Sequence, residues 1–199
     1  MSPLLAAAWT LAATMVITGA FHEDGLADTA DGFGGGTTRA RKMEIMRDSC
    51  IGSYGTLALL LSITIRVAAI ATLGQPHVVL MAMILAGMLG RSGMLLLLLS
   101  LSAVRNDGMT ASIGKLQASN VATGFALAIV ASFLLLPTLL AIATVVLAFS
   151  SSLALAKLAA KQIGGYTGDV LGASEVAAEC VVLTVIASLL AHNADALAH

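Results

Sequence analysis

Six apolar runs separated by polar segments leave this chain few ways to fold. They lie near Leu4–Phe21, Thr56–Leu73, Val78–Val104, Ser119–Leu136, Thr138–Ala156 and Ser174–His192. A helix crosses the hydrocarbon core of a bilayer with about 20 residues, within a range of about 17–25, and each run is of that order. Charged residues make up only 11% of the 199, and the mean hydropathy is +0.96, whereas soluble domains carry about 25% charged residues. The expectation is an all-α, polytopic integral membrane helix bundle of about six transmembrane helices. It forms one domain over residues 1–199, because no polar linker divides two apolar blocks.

Three details of the runs bear on topology. The third is overlong and interrupted by Gly90-Arg91-Ser92, which predicts tilt or a break. Only Pro137 divides the fourth from the fifth, so a tight hairpin and one long kinked element both stay open. Leu4–Ala20 has no Lys or Arg ahead of it and reads as a retained span rather than a cleaved signal peptide.

Charge then orients the bundle. If every run crosses, the segments Phe21–Gly55, Arg105–Ala118 and Lys157–Ala173 share one side. Arg39, Arg41, Lys42, Arg47, Arg105, Lys115, Lys157 and Lys161 fall there, eight of the ten Lys and Arg residues. The opposite turns, Gly74–His77 and the one at Pro137, have none. A basic bias of this kind places the charged loops in the cytoplasm.

Phe21–Gly55 is the long polar segment of the chain. It holds six acids, Glu23, Asp24, Asp28, Asp31, Glu44 and Asp48, beside Arg39, Arg41, Lys42 and Arg47. Asp24, Asp28 and Asp31 are spaced i, i+4 and i+7, which puts three carboxylates on one face if the segment is helical. Like charges in that register repel unless a cation sits among them. Oxygen ligands without cysteines suit Mg²⁺ or Mn²⁺, and Mg²⁺ commonly takes one or two carboxylates and completes its shell with substrate phosphates. A solvated helix end is the plain alternative; it accounts for one aspartate better than for three in register.

Other residues join the candidate site with less force. His22 adjoins the first aspartate and is either a base for a substrate hydroxyl or an interfacial structural residue. Arg41 and Arg47, among the acids, suit phosphate oxygens, although Glu44 and Asp48 are placed to balance them. Arg39 and Lys42 are balanced between substrate and anionic lipid. Gly34-Gly35-Gly36 reads as a flexible turn or as backbone amides open to phosphate. In GGYTGDVLGASEVAAE, Asp169 is a further candidate ligand. Glu175 complements the start of the last helix, and Glu179 lies deeper, where a charge is costly. Arg91 and Arg66 lie inside runs, where charges face a partner or a polar cavity; Arg91 is expected to meet a phosphate or the acids, and Arg66 to do so or to snorkel. His77, His192 and His199 take no role. Cys50 and Cys180 stand alone, without the spacing of a zinc site or a disulfide framework.

HEDGLADTADG, KMEIMRDSCIGSYG and GGYTGDVLGA, in that order, resemble the signature segments of the cobalamin synthase family, the adenosylcobinamide-GDP ribazoletransferases. The likeness takes in Arg91 and Ile113-Gly114-Lys115. It implies a transferase that joins α-ribazole, or its 5′-phosphate, to adenosylcobinamide-GDP with release of GMP. It implies Mg²⁺ as cofactor, held by analogy by Asp24, Asp28 and Asp31. To these the residues themselves, as read above, add Asp169 as a further ligand and His22, Arg41, Arg47 and Arg91 as candidate catalytic residues. Both substrates and membrane lipid are the expected partners. Nucleic acid is not one, and an oligomer is compatible with the sequence. The location implied is the prokaryotic cytoplasmic (inner) membrane. Cys50 stands where the family commonly has Arg, and the chain starts almost at its first span where relatives carry a further amino-terminal segment. Another Mg²⁺-dependent membrane phosphotransferase, of the CDP-alcohol type, is the alternative, and GGYTGD argues against it. A transporter would hold its acids near the bilayer midplane rather than at one end.

Overall fold

The computed structural model describes residues 1–105 and 117–196. Ile113-Gly114-Lys115 and His199, named above, lie outside the described residues. The helices are α1 (Pro3–Thr18), α2 (Phe21–Gly35), α3 (Arg39–Ile45), α4 (Ser53–Leu73), α5 (Pro76–Ser100), α6 (Ala118–Leu135), α7 (Thr138–Ile163) and α8 (Gly168–Ala196). Five of them, α4 to α8, are long and apolar enough to cross a membrane, and α1 with α2 forms a sixth, broken candidate. The chain is a multi-pass helical membrane protein.

The first span differs from its expectation. Leu4–Phe21 is not one helix, because Gly19 and Ala20 both adopt left-handed backbone, at φ +67° and +54°. The chain turns there by 90° and restarts as α2. The charged segment is thus a new helix driven back into the bundle. The third span has no break: α5 runs continuously through Gly90-Arg91-Ser92. Its small residues serve packing, since a β-carbon at Gly90 would press on Glu175 of α8. The open question at Pro137 resolves as two helices: α6 ends at Leu135, and Pro137 sits at the N-cap of α7.

The last helix is the axis of the molecule. The apolar stretch of α8 is 72% buried, against 17% for α6, and α2, α4, α5 and α7 all pack on it. Leu85, Leu89, Val182, Leu183 and Ile186 form the middle of the core. At one end of the bundle the polar segments meet. Lys42 of α3 hydrogen-bonds Gln162 at the end of α7. The stretch after α5 pairs with the turn before α8, where Tyr166 N donates to Ser102 O at 3.1 Å and Val104 N to Tyr166 O at 3.0 Å. The described parts of the three charged segments therefore gather at one end, with α2 threaded between α4 and α8.

Candidate functional site

Close packing sets the pose of α2. A β-carbon at Gly25 would fall 2.7 Å from the Asp169 carbonyl oxygen, and one at Gly172 would fall 3.2 Å from the His22 carbonyl oxygen. Glycine at both positions lets the α2 and α8 backbones nearly touch, which brings Asp169 beside the acids of α2. Asp24 and Asp28 then line a cavity of about 460 Å³ with Glu23, Arg47, Asp48 and Ser49. Gly25 lies level with the first turn of α8, so Asp28 sits about one turn beyond the end of that crossing helix. Asp28 is half-buried among the negative charges of Asp24, Asp169 and Asp31, with the positive charge of Arg105 opposing them.

Asp169 is itself engaged. Its Oδ2 accepts from Arg105 Nη2 at 2.9 Å and from Thr167 Oγ1 at 3.1 Å, while Thr167 caps α8 by accepting from Val170 N. Asp31 has a different task from the one expected of it. Its Oδ2 accepts from Gly52 N at 2.7 Å and its Oδ1 from Gly55 N at 2.9 Å. Gly52 is the N-cap of α4 and has no side chain to satisfy the first-turn amides, so Asp31 supplies the cap from α2. Only 7% exposed, it is a helix anchor rather than a carboxylate turned into the Asp24–Asp28 cavity. The Gly34-Gly35-Gly36 run ends α2 in close contact with Tyr54 and Lys42.

Deeper in the bundle lies a second polar cluster. Arg66 does not snorkel. It is 1% exposed, and its Nη1 donates to Glu23 Oε1 at 2.8 Å and Glu179 Oε2 at 3.1 Å. Glu175, also buried, places Oε2 3.2 Å from His22 Nδ1 and accepts from Arg91 Nη1 at 3.0 Å through Oε1. These residues border a cavity of about 230 Å³. Burying charge at this depth requires pairing, and each side chain here has a partner of opposite sign.

The expected site residues therefore divide. Asp24, Asp28 and Arg47 share the upper cavity, with Asp169 adjacent. His22 and Arg91 share the deeper one. Arg41 lines neither; it is exposed and pairs with Glu44 at 2.8 Å. Glu23, Arg66 and Glu179 emerge as a triad that the sequence reading did not assemble. The signal is present in part, because an arginine within a span and a glutamate about three turns into the last helix each require a partner. Among the described residues no three Asp, Glu, His or Cys side chains converge to hold a metal ion by themselves. Asp24 and Asp28 still form a two-carboxylate set, which is what Mg²⁺ uses when substrate phosphates complete its shell.

A carboxylate pair and an arginine at one end of a membrane bundle suit several phosphotransferases. Comparison over the whole chain separates them, because a family model described as cobalamin-5-phosphate synthase matches residues 1–187. The chain belongs to this family. Relatives named adenosylcobinamide-GDP ribazoletransferase include one from Bradyrhizobium diazoefficiens, 46% identical over 94% of this chain and 72% of its own length. One from Azorhizobium caulinodans is 43% identical over 90% and 70%, and one from Mesorhizobium japonicum is 42% identical over 90% and 69%. No solved structure matches the chain. The match covers the α2 segment, the turn before α8 and both cavities.

Proposed function

We propose that this protein is an adenosylcobinamide-GDP ribazoletransferase: it joins α-ribazole, or its 5′-phosphate, to adenosylcobinamide-GDP and releases GMP. Similarity along nearly the whole chain to relatives of that name carries the reading. The upper cavity supplies a site of the right chemistry, since exchange at a pyrophosphate demands positioning and charge neutralisation more than covalent help.

Asp24 and Asp28 would hold Mg²⁺, with Asp169 beside them. The negative charges of Asp24, Asp31 and Asp169 around Asp28 support a cation there, and the all-oxygen donors fit Mg²⁺. When bound, the ion would neutralise charge that develops on the departing GMP. Arg47, on the same cavity wall, is placed to pair with pyrophosphate oxygens. His22 is oriented by Glu175 on Nδ1, which leaves Nε2 as the atom to receive a hydroxyl proton from the acceptor. Arg91 screens Glu175 from the other side. Arg41, exposed on α3 and paired with Glu44, lies outside the cavity to which this reading assigns the chemistry.

The charged end of the bundle faces the cytoplasm of a prokaryotic inner membrane in this reading, as its basic loops favour. The test is GMP release by the purified protein in liposomes supplied with adenosylcobinamide-GDP, α-ribazole and Mg²⁺. Release that requires α-ribazole supports the assignment. Ribazole-independent release of GMP points to hydrolysis and removes it.

A further inference from the structure

Arginine within a bilayer is stable only against a polar partner or a wet cavity. Arg91 lies roughly 13 Å along α5 from its loop-side end, yet its side chain is 54% exposed. Arg66 is almost completely buried, and while its Nη1 serves two glutamates, its Nη2 has no hydrogen-bond partner among the described residues. A buried donor left unmade is costly. Both arginines line the deeper cavity, bounded by α1, α2, α4, α5 and α8. A buried guanidinium nitrogen without a partner and a half-exposed arginine at the edge of the same space point to a polar occupant.

We propose that this cavity is the subsite for the nucleoside acceptor, α-ribazole or its 5′-phosphate. The inference rests on the transferase reading and extends it by giving the two substrates separate cavities. About 230 Å³ is on the scale of a nucleoside and far too small for a corrinoid. Met83 and Ile84 supply apolar wall for a flat base. Arg66 Nη2 donates to an oxygen or ring nitrogen of the nucleoside, and the buried glutamates accept from ribose hydroxyls. Arg91, at the exposed rim, takes the 5′-phosphate when it is present.

Glu23 lines both this cavity and the one bearing Asp24 and Asp28, so the two spaces adjoin at that side chain of α2. The acceptor hydroxyl reaches the pyrophosphate there. Its oxygen forms the new bond to the phosphorus attached to cobinamide, and its proton passes to His22 Nε2. The bond from that phosphorus to the bridging oxygen breaks, and GMP leaves with the electron pair.

Two variants of the full chain in nanodiscs test this. Thr18→Leu narrows the cavity without removing an ion pair, because Thr18 lines it while bonding only to backbone. Arg91→Gln removes the rim charge. Calorimetry without adenosylcobinamide-GDP is expected to show both acceptor forms binding the wild type. Thr18→Leu weakens both by about tenfold or more, and Arg91→Gln weakens the 5′-phosphate by about tenfold while changing the nucleoside by less than about twofold. The KM for adenosylcobinamide-GDP stays at the wild-type value in both. The subsite is overturned if the wild type binds no nucleoside, if Thr18→Leu raises the KM for adenosylcobinamide-GDP instead, or if Arg91→Gln weakens both forms equally. Nucleoside binding without GMP release under any condition refutes the transferase reading and leaves the subsite standing. GMP release with an unaltered acceptor KM in both variants does the reverse.

Discussion

Asp28 and Asp31 are three residues apart on one helix and do different work. Asp28 borders the upper cavity among like charges, so Asp28→Asn is expected to lower kcat by about 100-fold or more. It should leave the melting temperature in detergent unchanged or slightly higher, because repulsion is relieved. Asp31→Ala takes the acceptor from two backbone amides at the start of α4 and is expected to cost about 1–3 kcal/mol. That loss reads as a lower melting temperature, with Mg²⁺ dependence intact in the folded fraction. The reverse pattern would mean that the two roles are exchanged. Sequence spacing correctly put these aspartates on one helix face, yet it could not reveal that Gly52 and Gly55, more than 20 residues away, claim Asp31. Arg66 has the same history: its need for a partner was legible from its place in a span. Glu23 and Glu179 are 43 and 113 residues distant, and local sequence does not encode such meetings.

At the scale of elements, the decisive feature is that α2 restarts after a left-handed pair and lies against α8 with almost no side-chain spacer. Hydropathy registers apolar length and does not register a 90° turn, so the first run looked like a continuous span. The Gly25–Asp169 approach has a direct consequence. Gly25→Leu forces α2 and α8 apart at the level of Asp24, Asp28 and Asp169, and overpacking of this kind costs about 1–3 kcal/mol. Activity is expected to fall by more than the stability loss explains, measured as kcat on protein still folded below its melting temperature. Retained kcat in a destabilised variant would show that the spacing of α2 and α8 does not matter to the chemistry. The long spans were legible because each is a sustained apolar run. Their packing order was not, since α6 and α8 have similar hydropathy, 1.8 and 1.9, and opposite burial.

The whole molecule carries one polar end, a carboxylate cavity there, and a deeper ion-paired cavity that adjoins it at Glu23. The polar end makes a topological prediction. In a chain whose Cys50 and Cys180 have been replaced, Thr37→Cys is expected to react with a membrane-impermeant maleimide only from the cytoplasmic face, and Gln75→Cys only from the opposite face. Labelling of both from one side contradicts the arrangement. The cavity makes the more central prediction, that Asp24 and Asp28 hold the cation on which transfer depends. The measurement that reaches it most directly is the Mg²⁺ dependence of GMP release in wild type and Asp28→Asn, with both substrates saturating and EDTA as the zero point. Wild-type release is expected to stop with EDTA and return with Mg²⁺. The Asp28→Asn protein is expected to be folded, slow, and to require at least about tenfold more Mg²⁺. An Asp28→Asn protein with the wild-type rate and the wild-type Mg²⁺ requirement would contradict that role for Asp24 and Asp28.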